Sequence, residues 1–182
     1  MATWIIWVII GFILLTVLII YNSLIRARNR VRNAFSQIDV QLKKRYDLVP
    51  NLIETVKGYM THEKETLTKI TQLRNQAMSA TDTTMKAKAN NELTKALSGL
   101  KIAFENYPDL KASQNFLMLQ EELAGIENKI AYARQFYNDS VMLYNNKTEV
   151  FPSNLFANLF SFKKEIFFEA PEEEKKNVKV SF

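Results

Sequence analysis

A chain of 182 residues has room for one domain and an anchor, but not for two ordinary domains and an anchor. Four Gly and four Pro are too few for a turn-rich β fold, and no Cys means no disulfide framework, thiolate metal site or cysteine nucleophile. The net charge of +5 is gathered partly at Arg26, Arg28, Arg30 and Arg32, without the aromatic-interleaved basic pattern of a nucleic-acid module, so nucleic acid is not an expected partner.

The N-terminal segment, residues 1–25, reads as a transmembrane helix and makes the lipid bilayer the first expected partner. No charged side chain occurs from Met1 to Ile25, and Trp4 to Ile20 is almost unbroken aliphatic and aromatic sequence. At about 1.5 Å rise per residue, about 20 such residues cross a hydrocarbon core about 30 Å thick. Trp4 and Trp7 stand near one end and Tyr21 at the other, where amphipathic rings settle among headgroups, and Arg26 and Arg28 follow. Met1-Ala2-Thr3 supplies no basic side chain and no A-x-A-like site follows Ile20, so a permanent anchor is expected rather than a cleaved signal. The four Arg behind the span place the larger domain in the cytoplasm and the N-terminus outside.

Residues 26–150 keep a helical period and are expected to form one helical domain. Val31, Ala34, Phe35, Ile38 and Leu42 share a face, and with no Gly or Pro between Gly11 and Pro50 the anchor runs straight into this first helix. Asp47-Leu48-Val49-Pro50 is the first punctuation: Asp47 is expected to cap a second helix with Pro50 in its opening turn. That helix would turn Leu52, Ile53, Val56, Tyr59, Met60, Leu67, Ile70, Leu73 and Ala77 inward. Ser79 to Thr84 reads as a connection. A third helix follows, with Met85, Ala89, Leu93, Ala96, Leu97, Leu100 and Phe104 on one stripe. Tyr107-Pro108 opens a fourth. There Ala112, Leu119, Ile126 and Ala133 interlock with Phe116, Leu123, Ile130, Tyr137 and Tyr144 at the spacings of a coiled-coil seam. Short connections between long helices favour antiparallel neighbours, so the fold class is all-α, a four-helix bundle behind an anchor.

Residues 151–182 are different. Phe151-Pro152 ends the fourth helix, and seven of the twelve Phe fall here: Phe151, Phe156, Phe160, Phe162, Phe167, Phe168 and Phe182. Pro171 and Glu172 to Lys176 break any long helix, and Val178 to Phe182 alternates like a short strand. An aromatic tail of this kind packs on the bundle, on a neighbouring subunit or on the bilayer surface.

Three constellations have competing readings. Asp39, Gln41, Arg45, Asp47, Asn51 and Glu54 could supply paired carboxylates to a hydrolase. The simpler reading is a capped helix start with Arg–carboxylate bonds closing a hairpin. His62 is the sole histidine, too few for a di-iron bundle, and neither a nucleophile elbow nor a Gly-rich phosphate loop accompanies it. No catalytic, metal or cofactor site is therefore expected. Tyr137-Asn138 and Tyr144-Asn145 repeat at seven residues, either fixing register inside the bundle or offering a polar strip to another subunit. Arg134 with Glu127 and Glu122 reads as an interhelical or surface charge set.

The same residues carry a family pattern. Tyr21-Asn22-Ser23-Leu24 is followed by the dense block Ile38-Asp39-Val40-Gln41-Leu42-Lys43, Arg45 and Asp47-Leu48-Val49-Pro50-Asn51-Leu52. Val56-Lys57-Gly58-Tyr59, Tyr107-Pro108, Leu119-Gln120, Ala133-Arg134, Tyr137-Asn138, Tyr144-Asn145 and Phe151-Pro152 continue it, and Val178, Val180 and Phe182 close it. In these positions the chain resembles the LemA family, from end to end, although Ser79 to Ala103 carries little of the pattern. The resemblance implies a bacterial inner-membrane protein with an antiparallel four-helix domain facing the cytoplasm, and no particular activity. The expected function is a non-enzymatic scaffold or interaction protein that assembles with itself. The alternative is an accessory to another membrane protein, an enzyme such as a metalloprotease; remodelling of the membrane through the tail is a further possibility.

Overall fold

The computed structural model describes residues 2–60 and 62–169; the expected strand at Val178 to Phe182 and the run at Glu172 to Lys176 lie outside them. Among the described residues all regular structure is helical: α1 (Ala2–Lys57), α2 (Lys64–Ser79), α3 (Thr83–Ala103), the single turn α4 (Pro108–Lys111), α5 (Gln114–Glu149) and α6 (Ser153–Leu159). The chain divides into two compact units. Among the described residues, one joins 2–38 to 133–167; the other joins 39–132 to Phe168 and Glu169.

Helix α1 contains 56 residues and is the one described helix long and apolar enough to cross a bilayer, with a mean hydropathy of 2.8 in its most apolar window, none of it buried. As expected, the apolar run passes without a break into amphipathic sequence. In the first unit Leu24, Val31, Ala34 and Ile38 are buried on one face of α1, and Ala133, Tyr137, Val141 and Tyr144 on one face of α5. The Phe35 and Tyr137 rings meet at 5.6 Å between centroids.

The expectation that Asp47-Pro50 starts a second helix is overturned. Pro50 lies inside α1, which continues to Lys57, and Asp47 is an exposed mid-helix residue rather than a cap. A proline in a helix interior deprives the carbonyl four residues earlier of its donor. That carbonyl belongs to Tyr46, and the Arg74 guanidinium of α2 donates to it instead, Nε to O at 2.6 Å. The buried face Leu42, Tyr46, Val49, Leu52 and Val56 runs straight through the proline, whose ring is exposed. The helix ends later, where the Val56 carbonyl accepts from both Tyr59 and Met60.

In the second unit α2 and α3 pack on each other across a three-residue connection, Ala80 to Asp82. Asp82 caps α3, its carboxylate accepting from the backbone N–H of Thr84 at 2.8 Å and Met85 at 2.9 Å. Met85 is exposed, not inward as expected, because the buried stripe of α3 is Ala87, Asn90, Leu93, Leu97 and Leu100. Pro108 opens only α4; the chain breaks at Ala112 and Ser113 before α5 begins, so Ala112 is exposed and outside the seam. Further along α5, Phe116, Ile126, Ile130, Ala133, Tyr137 and Tyr144 of the expected series are buried, and Leu119 and Leu123 are half-buried. Phe116 meets Phe104 edge-on at 4.7 Å. Tyr59, read as inward, is exposed beyond the end of α1.

Helix α6 closes with a Schellman motif. The N–H of Phe162 donates to Ala157 O at 2.8 Å and that of Ser161 to Asn158 O at 3.2 Å, with Ser161 at φ 56°. Residues beyond it run extended, without a strand partner among the described residues.

Candidate functional site

Two polar centres stand out, one in each unit. In the second unit, Arg45 of α1 is 1% exposed. Its Nη1 donates to Thr94 Oγ1 at 2.7 Å and to Glu127 Oε1 and Oε2 at 2.9 and 3.2 Å. Its Nη2 donates to the side-chain oxygen of Asn90. The Tyr46 hydroxyl donates to the same oxygen at 2.9 Å, and Asn90 Nδ2 donates back along α3 to Lys86 O at 2.8 Å. Lys86 forms an ion pair with Asp39 at 2.8 Å. A guanidinium carries five donors in a fixed fork, so one arginine here joins α1, α3 and α5 at a single point. Burial pushes the Tyr46 phenol above its ordinary value of 10.0, with Asp39 acting in the same sense and the Asn90 bond and Arg45 charge opposing. A phenol held neutral, a paired carboxylate and a guanidinium engaged through both Nη atoms, with its Nε buried without a partner, form a side-chain clasp.

Beside the Arg45–Glu127 pair is a cavity of about 250 Å³ lined by Leu52, Leu97, Phe104 and Leu123, with Lys101 and Gln120 among the polar residues. Small-molecule sites usually enclose about 300–1,000 Å³, so this volume alone makes a poor case for a ligand.

The second centre docks the tail. In the first unit Tyr144 Oη donates to Lys163 O at 2.8 Å and Tyr137 Oη to Ile166 O at 2.8 Å. Asn145 pairs with the backbone of Glu165 in both directions, Nδ2 to O and Oδ1 from N, each at 2.9 Å. An extended segment without strand partners must place its N–H and C=O groups somewhere, and here side chains from one face of α5 take them. Phe162, 8% exposed, seats against the Tyr21 ring at 5.8 Å and under the Arg28 guanidinium at 4.9 Å. Burial pushes the Tyr144 phenol above 10.0, Glu165 adding to it and Arg28 and Arg32 opposing. In the second unit Phe168 is buried and Asn91 Nδ2 donates to Glu169 O at 3.2 Å.

The sequence-derived candidates divide between these centres. Asp39 and Arg45 belong to the clasp; Asp47, Pro50, Asn51 and Glu54 are exposed. The expected Arg–carboxylate bond exists, but its carboxylate is Glu127 of α5, and it closes no hairpin at Pro50. Gln41 is half-buried with its Oε1 enclosed. Glu127 is engaged by Arg45, while Arg134 is buried. Tyr137, Tyr144 and Asn145 hold the tail, a role that neither reading of the Tyr-Asn repeat anticipated; Asn138 is half-buried beside them. Tyr107 is half-buried where Pro108 opens α4, and Phe151 is exposed before Pro152. Trp4 and Trp7 are exposed on the apolar stretch. Sequence reasoning missed Asn90, Thr94 and Arg74. Asn90 carried a signal, since an amide on the inward stripe of a helix needs buried partners.

Among the described residues the regular structure is all helical, with one N-terminal helix of bilayer-spanning length and apolarity, a buried arginine clasp and a docked tail, and these define the class. The LemA family model matches residues 34–182. Protein LemA of Metamycoplasma hominis is 31% identical over 178 residues, covering 93% of this chain and 81% of that protein. The chain belongs to the LemA family.

Proposed function

We propose that the protein is a non-enzymatic scaffold, anchored through α1 in the bacterial cytoplasmic membrane, that assembles with itself through the outer face of α5. The observation that carries this reading is a second apolar series on that helix. Phe136 and Leu143, with Val150 just beyond, repeat at seven residues and are 40, 47 and 58% exposed, while Tyr137 and Tyr144 beside them face inward. A heptad-spaced apolar row left outside its own fold is what a second helix covers. Arg26, Arg28, Arg30 and Arg32 behind the span favour a cytoplasmic helical domain with the N-terminus outside. That domain is read as an antiparallel four-helix bundle of α1, α2, α3 and α5, supported by the short Ala80 to Asp82 connection and by the clasp bonds that tie α1, α3 and α5.

The test is the mass of the intact protein in lipid nanodiscs or mild detergent. More than one chain per particle is expected, dissociating to single chains in a Phe136→Glu, Leu143→Glu variant that keeps its helical content. A native particle of one chain overturns the reading.

A further inference from the structure

Helix α6 and its flanks expose more large apolar side chains than residues 161–169 of the tail. Phe151 is 75%, Leu155 58%, Leu159 72% and Phe160 44% exposed, whereas Ala157, on the opposite side, is buried. Leu155 and Leu159 are one helical turn apart and share a face. What covers this face follows from where α6 is held. The Phe160 ring meets the Tyr21 ring edge-on at 4.9 Å, and Tyr21 stands where the apolar stretch of α1 gives way to the Arg-rich segment. Coverage of α1 also begins inside the apolar stretch. Trp4 to Leu15 are exposed throughout, but Thr16, Val17 and Ile20, on the same side as Tyr21 and Leu24, are half-covered. Thr16 lies about 7.5 Å along the helix from Tyr21 at 1.5 Å per residue, so the half-covered side of α1 extends about that far into the apolar run.

We propose that α6 is a second membrane contact: its Phe151, Leu155, Leu159 and Phe160 face lies in the headgroup and upper acyl layer of the bilayer that α1 crosses. The depth matches interfacial segments, which bury an apolar face about 5–10 Å below the water boundary. Arg26, Lys163 and Lys164 are exposed nearby, as cations beside such a face would be. The span holds the chain in the membrane, and α6 fixes its rotation about the span. The inference rests on α1 spanning the bilayer and is independent of self-assembly.

The chain contains no Cys, so single spin labels can be placed on the full-length protein in vesicles of phosphatidylcholine and phosphatidylglycerol. Labels at Leu155→Cys and Leu159→Cys are expected to collide with oxygen and be shielded from a water-soluble nickel chelate. Their depth should be about 5–10 Å below the phosphates. A label at Asp139→Cys, exposed on α5, should show the reverse, and one at Leu14→Cys should lie deeper than either. Labels at 155 and 159 as nickel-accessible as the one at 139, with 14 still deep, overturn the proposal while the span stands. Shielding of 155 and 159 from both reagents means protein covers the face and overturns it too. Nickel access at 14 removes the span and the inference together.

Discussion

The clasp of the second unit and the tail dock of the first solve opposite problems with similar residue types. Arg45 donates to side-chain oxygens of Asn90, Thr94 and Glu127, so each partner's chemistry is specified. Tyr137, Tyr144 and Asn145 bind main-chain atoms of Lys163, Glu165 and Ile166, so the path of the tail is specified but not its side chains at those positions. A side-chain clasp fails when any member changes. A main-chain dock fails only when the dock itself changes, and tolerates substitution in the segment it holds.

The largest effect is expected at the clasp. Arg45→Ala removes a buried guanidinium that is the shared partner of Thr94, Asn90 and Glu127, and Glu127→Ala leaves that guanidinium uncompensated. Breaking one side of a buried ion pair costs about 3–5 kcal/mol, toward the lower end for Glu127, whose side chain is 29% exposed. Denaturant unfolding in detergent checks this. Lys163→Ala, which alters a side chain while keeping the docked carbonyl, should stay within about 0.5 kcal/mol of the native protein. Equal losses at Lys163 and Arg45 would break the comparison.

A second experiment concerns Pro50. Arg74→Met leaves the Tyr46 carbonyl without its donor and should cost about 1–3 kcal/mol. Pro50→Ala restores the backbone N–H that would normally serve that carbonyl, so the same Arg74 substitution should cost less in that background. A coupling of at least about 0.5 kcal/mol in the double-mutant cycle is expected. Strict additivity would mean that Arg74 does not compensate for the proline.

This pair also shows where the sequence stops being legible. The burial of Val31, Ala34, Ile38 and Leu42 and the inward face of α5 from Phe116 to Tyr144 follow from periodicity, which is local; Leu24, read as part of the anchor, is buried as well. Pro50 reads locally as a helix start, and only a donor 28 residues away reverses that reading. Asp47 beside it strengthened the error, being a good cap residue that here sits exposed in mid-helix. The Tyr-Asn repeat was legible as a polar strip on the seam. Its occupant was not, because main-chain recognition leaves no pattern in the docked sequence. The usable clue was in the tail itself: an extended stretch with no partner strand must find donors and acceptors elsewhere.

At the dock, Asn145→Ala removes both bonds to Glu165. A net loss of about 1–2 kcal/mol is expected, felt locally. Backbone hydrogen exchange should report it, with the Glu165 amide losing protection while amides in α3 keep theirs. Unchanged protection at Glu165 would show that Asn145 is not what holds the segment.

The smallest effect separates the two centres by pH. Tyr46 and Tyr144 each donate a phenolic hydrogen bond, and burial is the leading cause that raises each above 10.0. Because the folded-state value is the higher one, both contributions are complete below pH 10 and are lost as pH rises through the folded values. Tyr46→Phe should therefore flatten the alkaline fall of global stability, since its partner Asn90 belongs to the clasp. Tyr144→Phe should act mainly on the tail. Exchange at residues 163–166 starts faster at neutral pH, by the loss of a bond worth about 0.5–1.5 kcal/mol, and then rises less steeply with alkali than in the native chain, after correction for intrinsic exchange. If both substitutions altered global unfolding alike and left the tail's pH profile unchanged, the dock would be part of the core's cooperative unit rather than a separately opening segment.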